Sequence, residues 1–407
     1  MIVRRLVPGP VESAASRVIA ELVEAPPLTA FAPEVKNLCA ALSKALFEPR
    51  FRSQPNLQAL AFRLRPAEVQ RLENSFRDSL PAAPVLVQPR GLVFHIAPAN
   101  VETMFVYSWL FSALVGNRNL IRISSSAPEA ALLICRVFGE VLAGAPENVQ
   151  RSVAIVQYEH EEDLTRFFSE ACNVRVIWGG NETVRAVRAI PLAPRATEVV
   201  FADRYSFAIL QAASYNALDP EAQASLAAKF FNDTFWFDQM ACSSPRLVVW
   251  QGAPEATVAA ASSFYAELER VIERRGYSWD AGTALTRFGF GCRAILDGPV
   301  TALERHHGRF ETLTLAELTP FCRQHCGGGL LYQFHTTTLD PIAEFAGPQD
   351  QTVTYFGFAG SDLERLTGLV SRRGVDRIVP VGRALEFDRY WDGYDLFLEF
   401  SRHVDVH

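Results

Sequence analysis

The sequence from Gly91 to Ser126, GLVFHIAPANVETMFVYSWLFSALVGNRNLIRISSS, decides the fold class. Its first apolar run ends at Pro98, a long helix-forming stretch then closes at Gly116, and a second apolar run leads to Arg122. Short apolar strands joined through a helix are typical of a parallel β-sheet that is covered on both faces. The segment therefore predicts one strand–helix–strand unit of a doubly wound α/β domain.

The same alternation continues to about residue 212, and a second α/β segment follows it. We predict a single strand over EVVFADRYSFAIL (198–210) and strand-like runs at FGFGCRAIL (288–296), LLYQFHTTT (330–338) and TVTYFGF (352–358). Apolar residues at helical spacing from Val11 to Ala25 predict a helical start to the chain. The predicted segments are a helical region that packs on the first α/β domain (1–84), that domain (85–225), a second α/β domain (226–385) and a C-terminal tail (386–407).

Composition narrows the class of protein. A chain of 407 residues suggests two or three domains, and 49% hydrophobic with 21% charged residues indicates a globular protein. The net charge of −6 argues against a nucleic-acid partner. No apolar stretch is long enough to span a bilayer, and the first residues lack the apolar core of a signal peptide. Seven scattered cysteines suit free thiols in a reducing cytoplasm.

The first predicted strand end carries small residues and an amide. Parallel sheets bind ligands beyond the carboxyl ends of their strands, so Ala97, Pro98 and Ala99 would let a ligand approach the backbone closely. The Asn100 side chain could donate a hydrogen bond to an oxyanion. The alternative is that Asn100 only caps the next helix.

Two further strand ends suggest a dinucleotide. Arg122, Ser124 and Ser125 follow a strand without a carboxylate among them, and this favours NADPH because an acid there would repel the 2′-phosphate. Gly179 and Gly180 stand between a strand and a helix, where a pyrophosphate could approach the helix N-terminus. The alternatives are a surface arginine with a serine cap, and an ordinary tight turn.

Cys242 is the candidate nucleophile. It lies in DQMACSSP (238–245), where a helix-forming stretch breaks before a strand and a thiolate could be exposed. The alternative is a buried structural cysteine. A second motif, Cys322 and Cys326 with His325, is a poor zinc signal because it lacks a second ligand pair, so no metal site is predicted. His95 alternates within an apolar strand and is predicted to be a core residue.

The order of these motifs resembles the aldehyde dehydrogenase superfamily. More narrowly, the chain resembles the acyl-CoA reductase family typified by the reductase subunit of the bacterial luminescence fatty-acid reductase complex. The narrower resemblance rests on FHIAPANVETMFVYSWLFSALVGNRNLIRISS (94–125), DQMACSSPR (238–246) and GVDRIVPVGRALEFDRYWDGYDL (374–396). It spans most of the chain from about residue 90 onward.

The resemblance assigns roles to the candidate residues. It implies that Cys242 is the acyl-accepting nucleophile and that Asn100 helps to form the oxyanion hole. It also implies a cofactor-binding domain over 85–225 and a catalytic domain over 226–385. The implied cofactor contacts are Pro98 and Ala99 beside the nicotinamide ribose, Arg122 (usually lysine in the superfamily) at the adenosine ribose, and Gly179 and Gly180 at the pyrophosphate.

The chain departs from the superfamily pattern at two points. Glu102 stands where many relatives have proline. Hydrolytic members carry a glutamate base in a strand that corresponds to Val199–Arg204, and no glutamate stands in register there, although Glu198 is adjacent. Such a base activates water against the acyl-enzyme, so its absence favours reduction over oxidation to the acid.

The predicted function is therefore NADPH-dependent reduction of an acyl thioester to the aldehyde, through an S-acyl intermediate on Cys242. The alternatives are an aldehyde dehydrogenase that makes the acid, a non-redox acyltransferase or thioesterase, and a non-catalytic scaffold. The acyl donor could be a coenzyme A thioester, a carrier-protein thioester or a partner acyl-protein synthetase. The resemblance further implies a homo-oligomer.

Overall fold

The computed structural model describes residues 1–80, 85–98 and 101–406, which form two compact units. The first unit comprises Met1–Asp203 and Phe387–His407, and the second comprises Arg204–Glu386. The division after Asp203 differs from the predicted boundary after residue 225. The predicted tail is part of the first unit, because its last strand pairs with a strand near residue 85.

The first unit is built on a seven-stranded sheet of order β2-β1-β6-β5-β4-β7-β8. The strands from β6 to β8 are parallel, whereas β1 pairs antiparallel with both β2 and β6. The strands of this part of the chain are β1 (Ile2–Val7), β2 (Val11–Ala14), β3 (Val85–Pro89), β4 (Leu92–Ile96), β5 (Arg118–Ile123), β6 (Val153–Gln157), β7 (Val174–Trp178) and β8 (Thr197–Phe201).

Helices flank these strands, as the alternating pattern predicts. A short 3₁₀ helix (Pro49–Phe51) lies among them. The helices are α1 (Ala15–Val23), α2 (Pro33–Leu46), α3 (Pro55–Arg63), α4 (Pro66–Asp78), α5 (Met104–Leu114), α6 (Glu129–Leu142), α7 (Glu147–Gln150), α8 (Glu162–Ala171) and α9 (Asn181–Arg188).

The start of the chain differs from its helical prediction. Residues 2–14 form β1 and β2, and the helix predicted from Val11 begins only at Ala15. In β1, Val3, Arg5 and Val7 are buried while their neighbours are more exposed. That period of two follows from pairing with β6, a tertiary contact that overrides the local helical pattern.

The second unit is built on a seven-stranded sheet of order β11-β12-β13-β10-β9-β14-β15. All neighbouring pairs are parallel except β11 with β12. The strands are β9 (Tyr205–Gln211), β10 (Leu247–Gln251), β11 (Val300–His306), β12 (Phe310–Leu315), β13 (Leu330–Thr336), β14 (Asp350–Phe356) and β15 (Arg377–Pro380). The helices are α10 (Ala212–Asn216), α11 (Pro220–Phe235), α12 (Pro254–Arg274), α13 (Ala281–Asp297), α14 (Asp340–Phe345) and α15 (Gly360–Ser371), with a 3₁₀ helix at Pro320–Arg323.

Two strand predictions in this region are wrong. The run 288–296 is part of α13, whose start is capped because the Asp280 carboxylate accepts the Thr283 N–H at 2.7 Å. The run 198–210 is two strands, β8 and β9, which belong to different sheets. The strands predicted over 330–338 and 352–358 are confirmed as β13 and β14, apart from their last residues.

The chain ends in the first unit with β16 (Tyr390–Trp391), β17 (Tyr394–Asp395), α16 (Leu396–Glu399) and β18 (Ser401–Asp405). Strand β18 pairs antiparallel with β3 as a separate two-stranded sheet. Within the described part of the chain, no helix is long and apolar enough to cross a membrane.

Candidate active site

Cys242 lies in the loop between α11 and β10, at the amino end of a strand, as its sequence context predicts. The loop is fixed by Gln239, which is fully buried and has a positive φ of 62°. The Gln239 amide donates to the carbonyls of Pro245 (3.1 Å) and Leu330 (3.0 Å), and its oxygen accepts the Gly329 N–H (3.1 Å). A single side chain therefore ties the cysteine loop to the start of β13.

Cys242 is half-buried, and its sulfur has a hydrogen-bond donor. The Gln351 side-chain nitrogen lies 3.2 Å from Sγ, and Gln351 itself is fully buried at the start of β14. The Cys242 carbonyl accepts the Ser206 hydroxyl at 2.7 Å, and Ser206 Oγ accepts the Thr352 N–H at 3.1 Å. The cysteine is thus held by residues from the amino ends of β9 and β14, which sequence reasoning did not identify.

Most other cysteines are enclosed in the cores. Cys39, Cys135, Cys172 and Cys322 are buried. Burial raises the pKa of the Cys39, Cys135 and Cys172 thiols to about 12, which keeps them protonated and unreactive at neutral pH. Cys292 is exposed on α13. Cys242, by contrast, is not fully buried.

The Cys322, Cys326 and His325 motif does not assemble as a metal site. In residues 1–80, 85–98 and 101–406, no group of three or more metal-ligating side chains is close enough to hold an ion. The Cys322 sulfur instead accepts the Thr319 N–H at 3.4 Å, and Cys326 is half-buried.

At the end of β4, Ala97 is buried and its N–H donates to the Arg122 carbonyl at 3.0 Å. Pro98 follows it, while Ala99 and Asn100 lie outside the described residues. Helix α5 begins at Met104, with Thr103 at the N-cap position.

The end of β5 is more enclosed than predicted. Arg122 is 7% exposed, which excludes the surface-arginine alternative. Its guanidinium lies 5.2 Å from the Tyr158 ring centroid and donates to the Glu159 carbonyl at 3.2 Å. Ser124 bonds to the Ser126 hydroxyl at 2.8 Å, so it does not cap α6, which begins later.

An acid does reach this strand end, contrary to the sequence prediction. The Glu159 carboxylate accepts the Ser125 hydroxyl. Glu159 follows β6, which lies next to β5 in the sheet, so strand pairing brings it there from 34 residues along the chain. Sequence reasoning considered only the residues that directly follow β5.

The glycine pair at the end of β7 packs against protein atoms. A Cβ on Gly179 would lie 3.0 Å from Thr183 Cγ2, and a Cβ on Gly180 would lie 3.3 Å from the Asp203 carboxylate. Neither glycine has a positive φ, so backbone conformation does not require them. The Asp203 carboxylate also accepts the Asn181 N–H at 2.9 Å, at the start of α9. Glycine suits both positions because the Thr183 and Asp203 side chains pack closely against them.

Glu198, the nearest glutamate to the expected base position, is committed to ion pairs. Its carboxylate lies 2.8 Å from Arg175 Nε and 2.9 Å from Arg188 Nε. Arg175 is itself 2% exposed, so removing Glu198 would leave a buried cation with one partner fewer. The geometry explains Glu198 as a structural residue of β8.

Comparison with known proteins gives matches in sequence and in fold. The family profile described as acyl-CoA reductase (LuxC) matches residues 79–288, just over half of the chain. The long-chain acyl-protein thioester reductases of Aliivibrio fischeri and Photorhabdus luminescens are 32% and 30% identical over 172 and 168 residues. These alignments cover 41% and 40% of this chain but only 33% of each relative, so the chain matches about a third of their length.

Solved structures match nearly the whole chain at low identity. An NAD-dependent benzaldehyde dehydrogenase from Corynebacterium glutamicum gives a TM-score of 0.64 at 15% identity, covering 99% of this chain and 94% of that one. A 1-pyrroline-5-carboxylate dehydrogenase from Thermus with bound NAD gives 0.63 at 13% identity, covering 99% and 89%. These likenesses establish an aldehyde dehydrogenase fold. Because the profile matches more than half of the chain, the chain belongs to the acyl-CoA reductase (LuxC) family.

Proposed function

We propose that this protein reduces an acyl thioester to the aldehyde with NADPH, through an S-acyl intermediate on Cys242. The observation that carries the proposal is that Cys242 is only half-buried and its sulfur accepts a hydrogen bond, while four other cysteines are enclosed in cores. Family membership and the names of the two thioester reductases support the same chemistry.

In the proposed mechanism the Cys242 thiolate attacks the thioester carbonyl carbon. The oxyanion accepts hydrogen bonds from the Cys242 backbone N–H and the Asn100 amide, and one such donor is typically worth about 3 kcal/mol of barrier. The donor sulfur leaves as a thiolate and is protonated by solvent, and the acyl group stays on the Cys242 sulfur. A nicotinamide cofactor, when bound, would supply the hydride that reduces the acyl carbon. Cleavage of the carbon–sulfur bond then releases the aldehyde and restores the thiolate.

Reduction is favoured over hydrolysis because the nearest glutamate is occupied. Glu198 lies between two arginines, and each of its carboxylate oxygens is held in an ion pair. An acyl-enzyme without such a base persists until hydride arrives. An aldehyde dehydrogenase that makes the acid would need another base.

The end of β5 offers donors that fit a phosphate. A guanidinium and serine hydroxyls are common phosphate ligands, so we assign Arg122, Ser124 and Ser125 to the 2′-phosphate of NADPH. Glu159 opposes that phosphate, and the preference for NADPH over NADH would reflect the balance between Arg122 and Glu159. The remaining cofactor contacts in this proposal are Ala97, Pro98 and Ala99 at the nicotinamide ribose and Gly179 and Gly180 at the pyrophosphate.

The acyl donor in this proposal is a thioester of coenzyme A or of a protein. The names of the matched relatives favour a protein-bound acyl group, which an acyl-protein synthetase could deliver. We also propose a homo-oligomer in the cytoplasm, where the seven free cysteines would stay reduced.

The test is mass spectrometry of the intact protein after incubation with a panel of acyl thioesters. Wild-type protein should gain one acyl group, which peptide mapping should find on Cys242. Cys242→Ser should lose this labelling, whereas Cys292→Ser, which changes the exposed cysteine of α13, should keep it. Labelling that persists in Cys242→Ser would reject the proposal.

A further inference from the structure

A chain of hydrogen bonds leads from the VDRIVPVG motif to the Cys242 sulfur. Arg377 Nη1 donates to Thr352 Oγ1 at 3.3 Å, and Thr352 Oγ1 donates to Gln351 Oε1 at 3.4 Å. Gln351 Nε2 then donates to Cys242 Sγ at 3.2 Å. All four residues belong to the second unit, and they connect β15, β14 and the cysteine loop.

The orientation of the Gln351 amide follows from this chain. Its oxygen can only accept, and the Thr352 hydroxyl is there to donate, so its NH₂ group faces the sulfur. Gln351 and Thr352 are both fully buried, which limits exchange of these bonds with water. In a buried network each bond polarises the next, so the Arg377 charge strengthens the donor that reaches the sulfur.

We propose that Gln351, oriented by Thr352 and Arg377, is a positioning residue that fixes the Cys242 side chain and favours its thiolate form. This inference rests on the proposed role of Cys242 as nucleophile. An N–H donor stabilises an anionic sulfur more than a neutral thiol, because hydrogen bonds to charged groups are the stronger ones. The same donor also suits the step in which the thiolate leaves the acyl carbon.

The other charged groups near the loop are the same in every Gln351 variant. Arg246 donates to the Ala241 carbonyl at 3.2 Å. Among the described residues, other titratable groups on the elements around the loop are Asp238 with Tyr277, Arg204 with Asp376, Arg323 with Asp350, and Tyr205, Tyr332, Cys322, His325 and Cys326. Because variants at Gln351 leave these groups in place, differences between variants report the Gln351 donor.

The experiment measures how fast iodoacetamide alkylates Cys242 as a function of pH, followed on the Cys242 peptide because exposed Cys292 also reacts. Gln351→Leu should raise the pH midpoint of alkylation by on the order of one unit. Gln351→Glu keeps the shape but replaces the donor with a carboxylate, and it should raise the midpoint further. Thr352→Val should give a smaller rise.

Two variants control for damage to the sheet. Gln333→Leu removes a buried glutamine of β13 that bonds to Thr314 at 2.8 Å, and Thr354→Val removes a buried hydroxyl two residues along β14. Both should keep the wild-type midpoint. If Gln351→Leu does not fold, the near-isosteric variants Gln351→Glu and Thr352→Val decide the question.

A wild-type midpoint in both Gln351 variants would overturn the positioning role, and so would an equal rise in the two controls. The proposed function fails in a different way. If acyl thioesters label no variant on Cys242 while the midpoint still rises in Gln351→Leu, the reductase proposal is rejected and the positioning of the sulfur stands.

Discussion

The candidate residues of the two units lie at opposite ends of their strands. In the first unit they follow the carboxyl ends of β4, β5 and β7, where each group is a continuous stretch of sequence. In the second unit, Cys242, Ser206 and Gln351 come from the amino ends of β10, β9 and β14, which are far apart in the chain but adjacent in the sheet. A motif search finds most of the first kind of site and misses only residues such as Glu159 that arrive from a neighbouring strand, whereas it finds only the cysteine of the second.

The largest effect should come from breaking the link that assembles the second site. Gln239→Ala removes three hydrogen bonds from a fully buried side chain and leaves buried backbone groups unpaired, so unfolding should become easier by about 3 to 4 kcal/mol. Chemical denaturation measures the change. Gln324→Ala, at an exposed position nearby, should change stability little. Equal stability of the two variants would mean that Gln239 does not hold the loop.

The stability of the first unit should fall in acid, because a histidine is buried in β4. His95 is buried in β4 between Ser108 (2.7 Å) and Asn119 (3.0 Å), and burial lowers its pKa to about 4. Because the unfolded state binds the proton more tightly, the stability is fully present above about pH 6.5 and is lost as the pH falls through about 4. The loss from His95 alone is about 3 kcal/mol.

Thermal unfolding from pH 7 to pH 4 checks this prediction. His95→Gln should be less stable than wild type at pH 7 but should lose less stability on acidification. A wild-type pH dependence in that variant would show that the other buried histidines carry the effect.

A substitution at Arg122 tests the assignment of this residue to the 2′-phosphate of NADPH. Arg122→Glu should weaken NADPH binding by about 100-fold and NADH binding much less, because only NADPH carries the 2′-phosphate. The matched control is Arg136→Glu on the exposed face of α6, with the same change of charge. Titration calorimetry with both cofactors measures the ratio, and an unchanged preference would reject the 2′-phosphate assignment.

The smallest effect tests the acid that sequence reasoning missed. Glu159→Gln removes a carboxylate beside Ser125, and the preference for NADPH over NADH should rise by about five-fold, as for one exposed charge. Glu162→Gln, at an exposed position of α8, serves as the control. A preference that falls in Glu159→Gln would mean that Glu159 does not oppose the phosphate.

Much of the fold could be predicted because its strands are buried on both faces. Strands β4, β5, β6 and β7 are buried at nearly every position, and such continuous apolar runs stand out from the amphipathic helices between them. Prediction failed where a partner decides the structure. Strand β1 forms because it pairs with β6. Residues 198–210 form two strands because β8 and β9 belong to different sheets.

The sequence by itself determined the α/β class, the family resemblance and the candidate cysteine, which lies where a helix-forming stretch ends before β10. These are local properties, set by the spacing of apolar residues and by the residues next to Cys242. Only the tertiary structure decided that Gln351 and Ser206 contact the cysteine, that Glu159 reaches Ser125 and that Glu198 is bound by two arginines. The physical reason is that sheet order joins residues that are distant in the chain, and sheet order depends on which strands pair.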